Sequence, residues 1–341
     1  MARRRRQPAL AKIISRNLAA FTRQVVKNGE KAARQAWQPV TAGFKAPGGA
    51  GDWISGIAVG PAGMRRFQLY RPPGAHAGER LPVMVMLHGC GQNAQSFAAS
   101  TKMNRVAARE RFLVLYPEQD RLSNMQGCWN WFDTRTGRAQ GEAALIMSAI
   151  DQVCLLHGAD SSRVAVAGLS AGASMAALLA VRYPTRFVAL AMHSGIAPGW
   201  ADSSRSAARA MRGQLAPDEP PDMTLMDTTE AWPALLAIQG GLDAVVSANN
   251  AQAAVGLWAG MAGARADKPR EVQRGKRRAM SMTDYRSAGR LVATLALVQG
   301  LGHAWSGGAA AQAFSDPDGP DAARLIWTFS ARRFRERLPS G

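Results

Sequence analysis

The chain has 341 residues, 47% of them apolar and 19% charged, and a formal net charge of +18. Those figures admit one large folded domain or two small ones with a substantial core. No run approaches the roughly 18 continuous apolar residues of a membrane helix, and no Cys/His cluster has zinc spacing. Cys90, Cys128 and Cys154 are too few for a disulfide scaffold, although one bridge can form.

The charge is concentrated at the start. Residues 1–40 hold ten Lys/Arg against the single acid Glu30. Within 9–28, Leu10, Ile13, Ile14, Leu18, Phe21 and Val25 recur in steps of three and four, which predicts a basic amphipathic helix. Its plain reading is a solvated helix packed loosely on the main body. Its sharper reading is attachment to an anionic or apolar surface, such as a lipid layer or a polymer granule. Nucleic-acid binding is disfavoured, because no interleaved aromatics or nucleic-acid fold signature accompany the arm. Lys12, Arg16 and Arg23 interrupt the stretch that a secretory signal would keep apolar, so none is expected. A mitochondrial-type presequence fits the composition as well.

Residues 41–62, rich in Gly, Ala and Pro, are expected to be a linker, with the main domain over 63–341. Along that domain, residues 65–71 predict an edge strand. The continuous apolar runs LPVMVML (81–87) and FLVLY (112–116) predict strands buried on both faces. Residues 101–109 and 141–156 suit helices. Strands are expected over 164–167, 188–192 and 234–238, with a helix over 171–182. A last strand falls at 291–298 and a closing helix at 321–335. Residues 199–231 and 263–290 break the rhythm and read as surface excursions. Strand alternating with helix argues for an α/β architecture: a mostly parallel twisted sheet flanked by helices.

Gly168-Leu169-Ser170-Ala171-Gly172 matches G-x-S-x-G, with an apolar strand before it and a helix after it. That context places the serine on the sharp, strained turn of the α/β-hydrolase fold, whose chain order is Ser, acid, His. Only His193 and His303 follow Ser170. His193 leaves little room for an acid-bearing strand between, and reads as a packing residue. His303, in GLGHAW after the last strand, is the expected base. Asp243, in GGLD after strand 234–238, is the expected acid, with an ordinary turn aspartate as the plain alternative. The backbone N–H of Ala171 and that of Cys90, in LHGCG after strand 81–87, are the expected oxyanion donors. His88 is expected to order that loop.

The segments LHGCGQNAQSF, CWNWF, GLSAGASM, GGLD, and GLGHAWSGG followed by DPDGPDA resemble the esterase family of poly(3-hydroxybutyrate) depolymerases, over about residues 64–330. The resemblance implies the α/β-hydrolase fold, a Ser170–Asp243–His303 triad and an oxyanion hole at Cys90 and Ala171. It also implies a Cys90–Cys128 bridge with Cys154 free, proximity without oxidation being the alternative in a reducing compartment. The activity implied is a serine esterase on poly(3-hydroxybutyrate) or its oligomers, without metal or cofactor. The alternatives are a feruloyl or acetyl esterase on polysaccharide-linked esters, or a granule- or surface-binding protein with a vestigial site. Trp305, Trp129 and Trp131 are expected to face substrate as flat apolar surfaces. Without a clear signal peptide, a cytoplasmic, granule-associated enzyme is expected, with secretion as the alternative.

Overall fold

The computed structural model describes residues 50–76, 78–214, 221–224 and 226–336. The arm expected over 1–40, and the expected linker up to residue 49, lie outside the described residues.

In chain order the strands are β1 (Asp52–Gly60), β2 (Gly63–Arg71), β3 (Leu81–Leu87), β4 (Leu113–Pro117), β5 (Ala159–Leu169), β6 (Ala189–His193) and β7 (Ala234–Gly240). β8 (Arg265–Ala266), β9 (Arg270–Val272), β10 (Met280–Ser287) and β11 (Arg290–Val298) follow. They form a single sheet in the order β1-β2-β4-β3-β5-β6-β7-β11-β10-β8, with β9 also paired to β10. The stretch from β4 to β11 is parallel. Antiparallel strands close it on both sides. This is the α/β-hydrolase fold.

The central strands are continuous apolar runs because both their faces are covered. Successive side chains of a strand point to opposite faces. On one face Val83, Val85, Val164 and Val166 meet the helices α3 (Arg138–Leu156), α4 (Ala171–Arg182) and α6 (Asn249–Ala262). On the other, Met84, Met86, Ala165 and Ala167 meet α1 (Ala94–Thr101), α2 (Met103–Glu110) and α7 (Ala322–Glu336). Burying each such methionine or valine stabilises the fold by about 1.5–3 kcal/mol. A further helix, α5 (Ser204–Met211), begins with a capping box in which Ser203 and Ser206 satisfy each other's backbone N–H groups.

Three expectations change. Residues 52–60 belong to the sheet as β1, not to a linker, so the strand at 63–71 is second from the edge. β1 escapes a pattern search because most of it is exposed or half-exposed and it contains Gly56 and Ser55; pairing with β2 makes it a strand. The 263–290 segment carries β8, β9 and β10. Its charge hides the alternation of β10, in which Met280, Met282 and Asp284 face inward. Asp284 tolerates burial because Thr294 Oγ1 (2.7 Å) and Arg270 (2.9 Å) donate to it. Finally, β11 is followed by a small separate pair, β12 (Trp305–Ser306) with β13 (Ser315–Asp316).

Two glycines give opposite expectations for one substitution. Gly56 lies opposite Phe67 in register, and a methyl group there overlaps the Phe67 ring. Gly256 sits on the exposed face of α6 with nothing near its would-be Cβ. In urea denaturation Gly56→Ala should lower stability by about 1–3 kcal/mol. Gly256→Ala should raise it by about 0.5–1 kcal/mol.

Candidate active site

Because β3, β5, β6, β7 and β11 are parallel neighbours, their carboxyl ends lie along one edge of the sheet. Ligands of open α/β sheets bind outside that edge. Ser170 follows β5, His193 ends β6, Asp243 follows β7, His303 follows β11, and the His88–Gly91 loop follows β3. The topology therefore gathers all the sequence-expected site residues of chemical interest to one rim.

Ser170 has φ 56° and ψ −123°, a conformation that L residues rarely hold. Its N–H donates to the His193 carbonyl (2.9 Å), and α4 starts at the next residue. The turn is possible because of the glycines on either side. A Cβ on Gly168 would strike the Gly172 and Ala173 backbone, and one on Gly172 would strike the carbonyls of Leu87 and His88.

His303 and Asp243 meet: Nδ1 lies 2.8 Å from Oδ2. A carboxylate only accepts, so Nδ1 carries a proton. Asp243 is fully saturated. Its Oδ1 accepts from the N–H groups of Val245 (2.9 Å) and Val246 (2.8 Å), and Gln239 Nε2 donates to Oδ2 (3.1 Å). Burial opposes ionisation of this carboxyl. The bond to His303, its charge, and the two N–H groups together outweigh burial and hold the pKa below the ordinary value. The loops carrying acid and base are stitched together by Gly241 N–H to Val298 O and Leu242 N–H to Leu301 O, both 2.9 Å. Among the described residues no hydrogen bond joins Ser170 Oγ to His303. Such bonds commonly tighten only when substrate is bound.

The two amides expected as oxyanion donors are uncommitted. Ala171 N–H stands at the first position of α4, where no intrahelical acceptor exists. Around Cys90, the Gly89 N–H donates to Gln92 Oε1 (3.0 Å), Gly91 N–H to Gln126 O (2.9 Å) and Gln92 N–H to Gly89 O (3.3 Å). The Cys90 N–H is left without a backbone acceptor among the described residues. The loop lies against the serine: a Cβ on Gly89 would sit 3.6 Å from Ser170 Cβ.

Cys90 and Cys128 form a disulfide and Cys154 is free. The segment around Cys128 rests on a buried polar network. Glu142 accepts from Gln119 Nε2 (2.7 Å), Asn130 Nδ2 (2.6 Å) and Asn130 N–H (2.9 Å), while Arg65 donates to Gln119 Oε1. Sequence reading passed over these residues, and also Gln239 and the role of His193. A glutamine inside the apolar run ALLAIQG, and an isolated arginine and glutamate within core elements, were the available signals.

The tryptophan expectation is corrected. Trp305 is fully buried, stacked on His193 (ring centroids 5.2 Å apart) and edge-on to Phe97 (5.5 Å). Trp129 is also fully buried, with Nε1 donating to the His88 carbonyl (3.1 Å). Trp131 is only 8% exposed. Trp305 and Trp129 therefore pack inside the molecule against His193 and the His88 carbonyl and offer no exposed face. Exposed apolar side chains near these loops include Leu242, beside Asp243, and Leu122 and Met125, in the loop after β4 that Gly91 ties down through Gln126. Among the described residues no three His, Cys, Asp or Glu side chains cluster to hold a metal ion, and no helix is long and apolar enough to cross a membrane.

The family described as "Esterase PHB depolymerase" matches residues 65–271. Among curated relatives, poly(3-hydroxyalkanoate) depolymerase C of Paucimonas lemoignei is 36% identical over 143 residues, which is 42% of this chain and 34% of that one. Feruloyl esterase B of Thermothelomyces thermophilus is 35% identical over 153 residues, 44% of this chain and 50% of that one. The chain thus spans about a third to a half of the length of these relatives. In structure it is similar to an acetyl xylan esterase from Aspergillus awamori, with a TM-score of 0.62 at 19% identity, covering 74% of this chain and 94% of that one. That likeness speaks to the fold.

Two outcomes follow from the site's electrostatics. Asp243→Asn removes the acceptor that sets the His303 tautomer and should lower kcat for ester hydrolysis by about 10³- to 10⁴-fold, with the fold retained by circular dichroism. The second concerns His88 and His193, both fully buried. Burial lowers the pKa of His88 to about 4, with the Arg65 charge acting the same way against the bond to Gly89. Burial and then the charge of His303 lower that of His193 to about 3, against Asp243. Each folded pKa is depressed below the ordinary 6.5, so the unfolded chain binds the extra protons. The resulting stability is complete above pH about 6.5 and is lost as pH falls toward 4. Urea unfolding between pH 4.5 and 6 should show stability rising by about 1.4 kcal/mol per pH unit for each histidine. A flat profile would contradict neutral burial of both.

Proposed function

Because the chain belongs to the esterase PHB depolymerase family, we propose that it hydrolyses carboxylic esters through an acyl-enzyme on Ser170, its substrate being poly(3-hydroxybutyrate) or oligomers of it. The single observation that carries this reading is the strained Ser170 turn at the same sheet edge as the hydrogen-bonded Asp243–His303 pair. A serine held this way has little other structural use, since its conformation is strained and positions 168 and 172 leave no room for a side chain.

In the proposed reaction His303 Nε2 takes the Ser170 proton as Oγ bonds to the ester carbonyl carbon. Asp243 stabilises the imidazolium and stays ionised. The N–H groups of Cys90 and Ala171 receive the oxyanion, each contributing about 3 kcal/mol. The tetrahedral intermediate expels the alcohol, which takes the proton from His303. Water then attacks the acyl carbon and gives a proton to His303; the second tetrahedral intermediate expels Ser170 Oγ, which takes that proton back, and the acid leaves.

Support for an apolar polyester comes from Leu122, Met125 and Leu242, exposed at 96%, 90% and 71% around the catalytic loops, and from the depolymerase among the relatives. The feruloyl and acetyl xylan esterase relatives favour the second reading, an esterase on polysaccharide-linked acyl groups. The Cys90–Cys128 bridge favours a compartment in which thiols oxidise, the secreted alternative over the cytoplasmic one.

Hydrolysis of a short-chain nitrophenyl ester by the full chain, compared with Ser170→Ala, tests the chemistry. The variant is expected to lose at least about 10⁴-fold in kcat, and equal rates would remove the enzyme reading. A panel of hydroxybutyrate oligomers, a feruloyl ester and acetylated xylan tests the substrate. The highest kcat/KM is expected on the oligomers.

A further inference from the structure

We infer that His88 is a positioning residue for the oxyanion hole: its Nδ1–H holds the Gly89 carbonyl and so sets the plane of the Gly89–Cys90 peptide, whose N–H is the second oxyanion donor. This rests on the role given to Cys90 above.

His88 Nδ1 lies 2.9 Å from the Gly89 oxygen, and its Nε2 lies 3.1 Å from the Gln119 backbone nitrogen. An amide N–H only donates, so Nε2 must be the unprotonated nitrogen and Nδ1 must carry the hydrogen. The tautomer is thereby dictated by the backbone of residue 119. The Gly89 carbonyl and the Cys90 N–H are two ends of one peptide group, and in a trans peptide they point in opposite directions. Holding the oxygen toward the buried ring turns the N–H away from it. Gln92 N–H shares the same oxygen at 3.3 Å, and the loop lies against the serine, a Cβ on Gly89 falling 3.6 Å from Ser170 Cβ. Donation to the carbonyl also polarises the peptide and strengthens its N–H as a donor.

The ring is itself held on every side. Trp129 Nε1 donates to the His88 carbonyl, and the Trp129 ring packs 5.5 Å from the imidazole, centroid to centroid. Gln119, whose N–H fixes Nε2, is held through its side chain by Arg65, Glu142 and the Cys128 carbonyl. Full burial beside the Arg65 charge keeps the ring neutral. A second ring proton would face the Gln119 N–H, donor against donor. The network of Arg65, Gln119, Glu142 and Asn130 thus acts on the reaction through one imidazole and one peptide plane.

Two isosteric substitutions separate aiming from filling space. The Asn side-chain amide can place its N–H where Nδ1 stands, keeping the donor to Gly89. Gln can place its oxygen where Nε2 stands, keeping the acceptor for Gln119 and losing the donor. With a nitrophenyl ester, His88→Gln is expected to lower kcat by about 10- to 100-fold with KM changed less than about threefold, since the lost interaction acts on the oxyanion and not on bound ester. His88→Asn is expected to keep kcat within about fivefold of the parent. Inhibition by a trifluoromethyl ketone, which forms an oxyanion on the serine, should weaken in His88→Gln by the same factor as kcat.

Equal loss of kcat in both variants, or wild-type kcat in His88→Gln while Ser170→Ala is inactive, would overturn the role of His88 and leave the esterase reading standing. A fully active Ser170→Ala would instead remove that reading itself. Should neither His88 variant fold, ¹⁵N-histidine NMR of the wild-type chain decides. Both buried rings, His88 and His193, are expected to show a protonated Nδ1 and a bare Nε2, unchanged between roughly pH 5.5 and 8. If the His88 ring, assigned as the buried signal that persists in His193→Gln, carries its proton on Nε2 or titrates within that range, the inference fails.

Discussion

The contact on which the site depends is the approach of the α4 backbone at Gly172 to the carbonyls of Leu87 and His88 at the end of β3. It forces the chain to turn at Ser170 with φ 56°. It also brings the start of α4, with its unpaired N–H at Ala171, against the loop that bears Cys90. Any side chain at residue 172 would push helix and strand apart. The turn at Ser170 and the uncommitted N–H of Ala171 are therefore products of one packing constraint, and the strain at Ser170 is sustained by the strands and helices around it.

Around that contact the structure uses buried neutral histidines as connectors. His88 ties the oxyanion loop to the loop after β4, and His193 ties Ser170, through its carbonyl, to Ser306, whose N–H donates to its Nε2 at 3.1 Å. A ring with one donor and one acceptor can bridge two backbone segments in an interior where a charge would be costly. A third histidine, His303, differs from these two: its side chain is 11% exposed and is bonded to a fully buried Asp243 side chain. Position decides the division of labour among chemically identical side chains.

The Cys90–Cys128 bridge and the Glu142 network restrain the same region covalently and by hydrogen bonds. The bridge joins the oxyanion loop to the CWNWF segment, and the network anchors that segment to α3 and β2. Breaking one partner of such a buried polar set leaves others unsatisfied, so its effects reach beyond the residue changed. Leu122 and Met125 stand on the intervening loop, which places apolar exposed surface on a firmly tied base.

The sequence by itself determined the elements that carry local signatures. The apolar runs of β3, β4 and β5 announce strands buried on both faces, and the glycines around Ser170 announce a turn that no other residue permits. Chain order sufficed to pair Asp243 with His303, since each sits just past a strand in a fold whose strands end together. What only the tertiary structure decided depends on neighbours distant in sequence. β1 exists because β2 pairs with it, and β10 was hidden by charges that are satisfied across strands, Asp284 by Arg270 and Thr294. Trp305 and Trp129 looked like substrate surfaces by proximity in the chain, but burial is set by three-dimensional packing, which put them under the loops. For the same reason the set of Arg65, Gln119 and Glu142 that holds the expected loop-ordering His88 emerges only in the fold. Each residue is unremarkable in its own segment, and its meaning comes from hydrogen bonds between β2, the loops after β3 and β4, and α3.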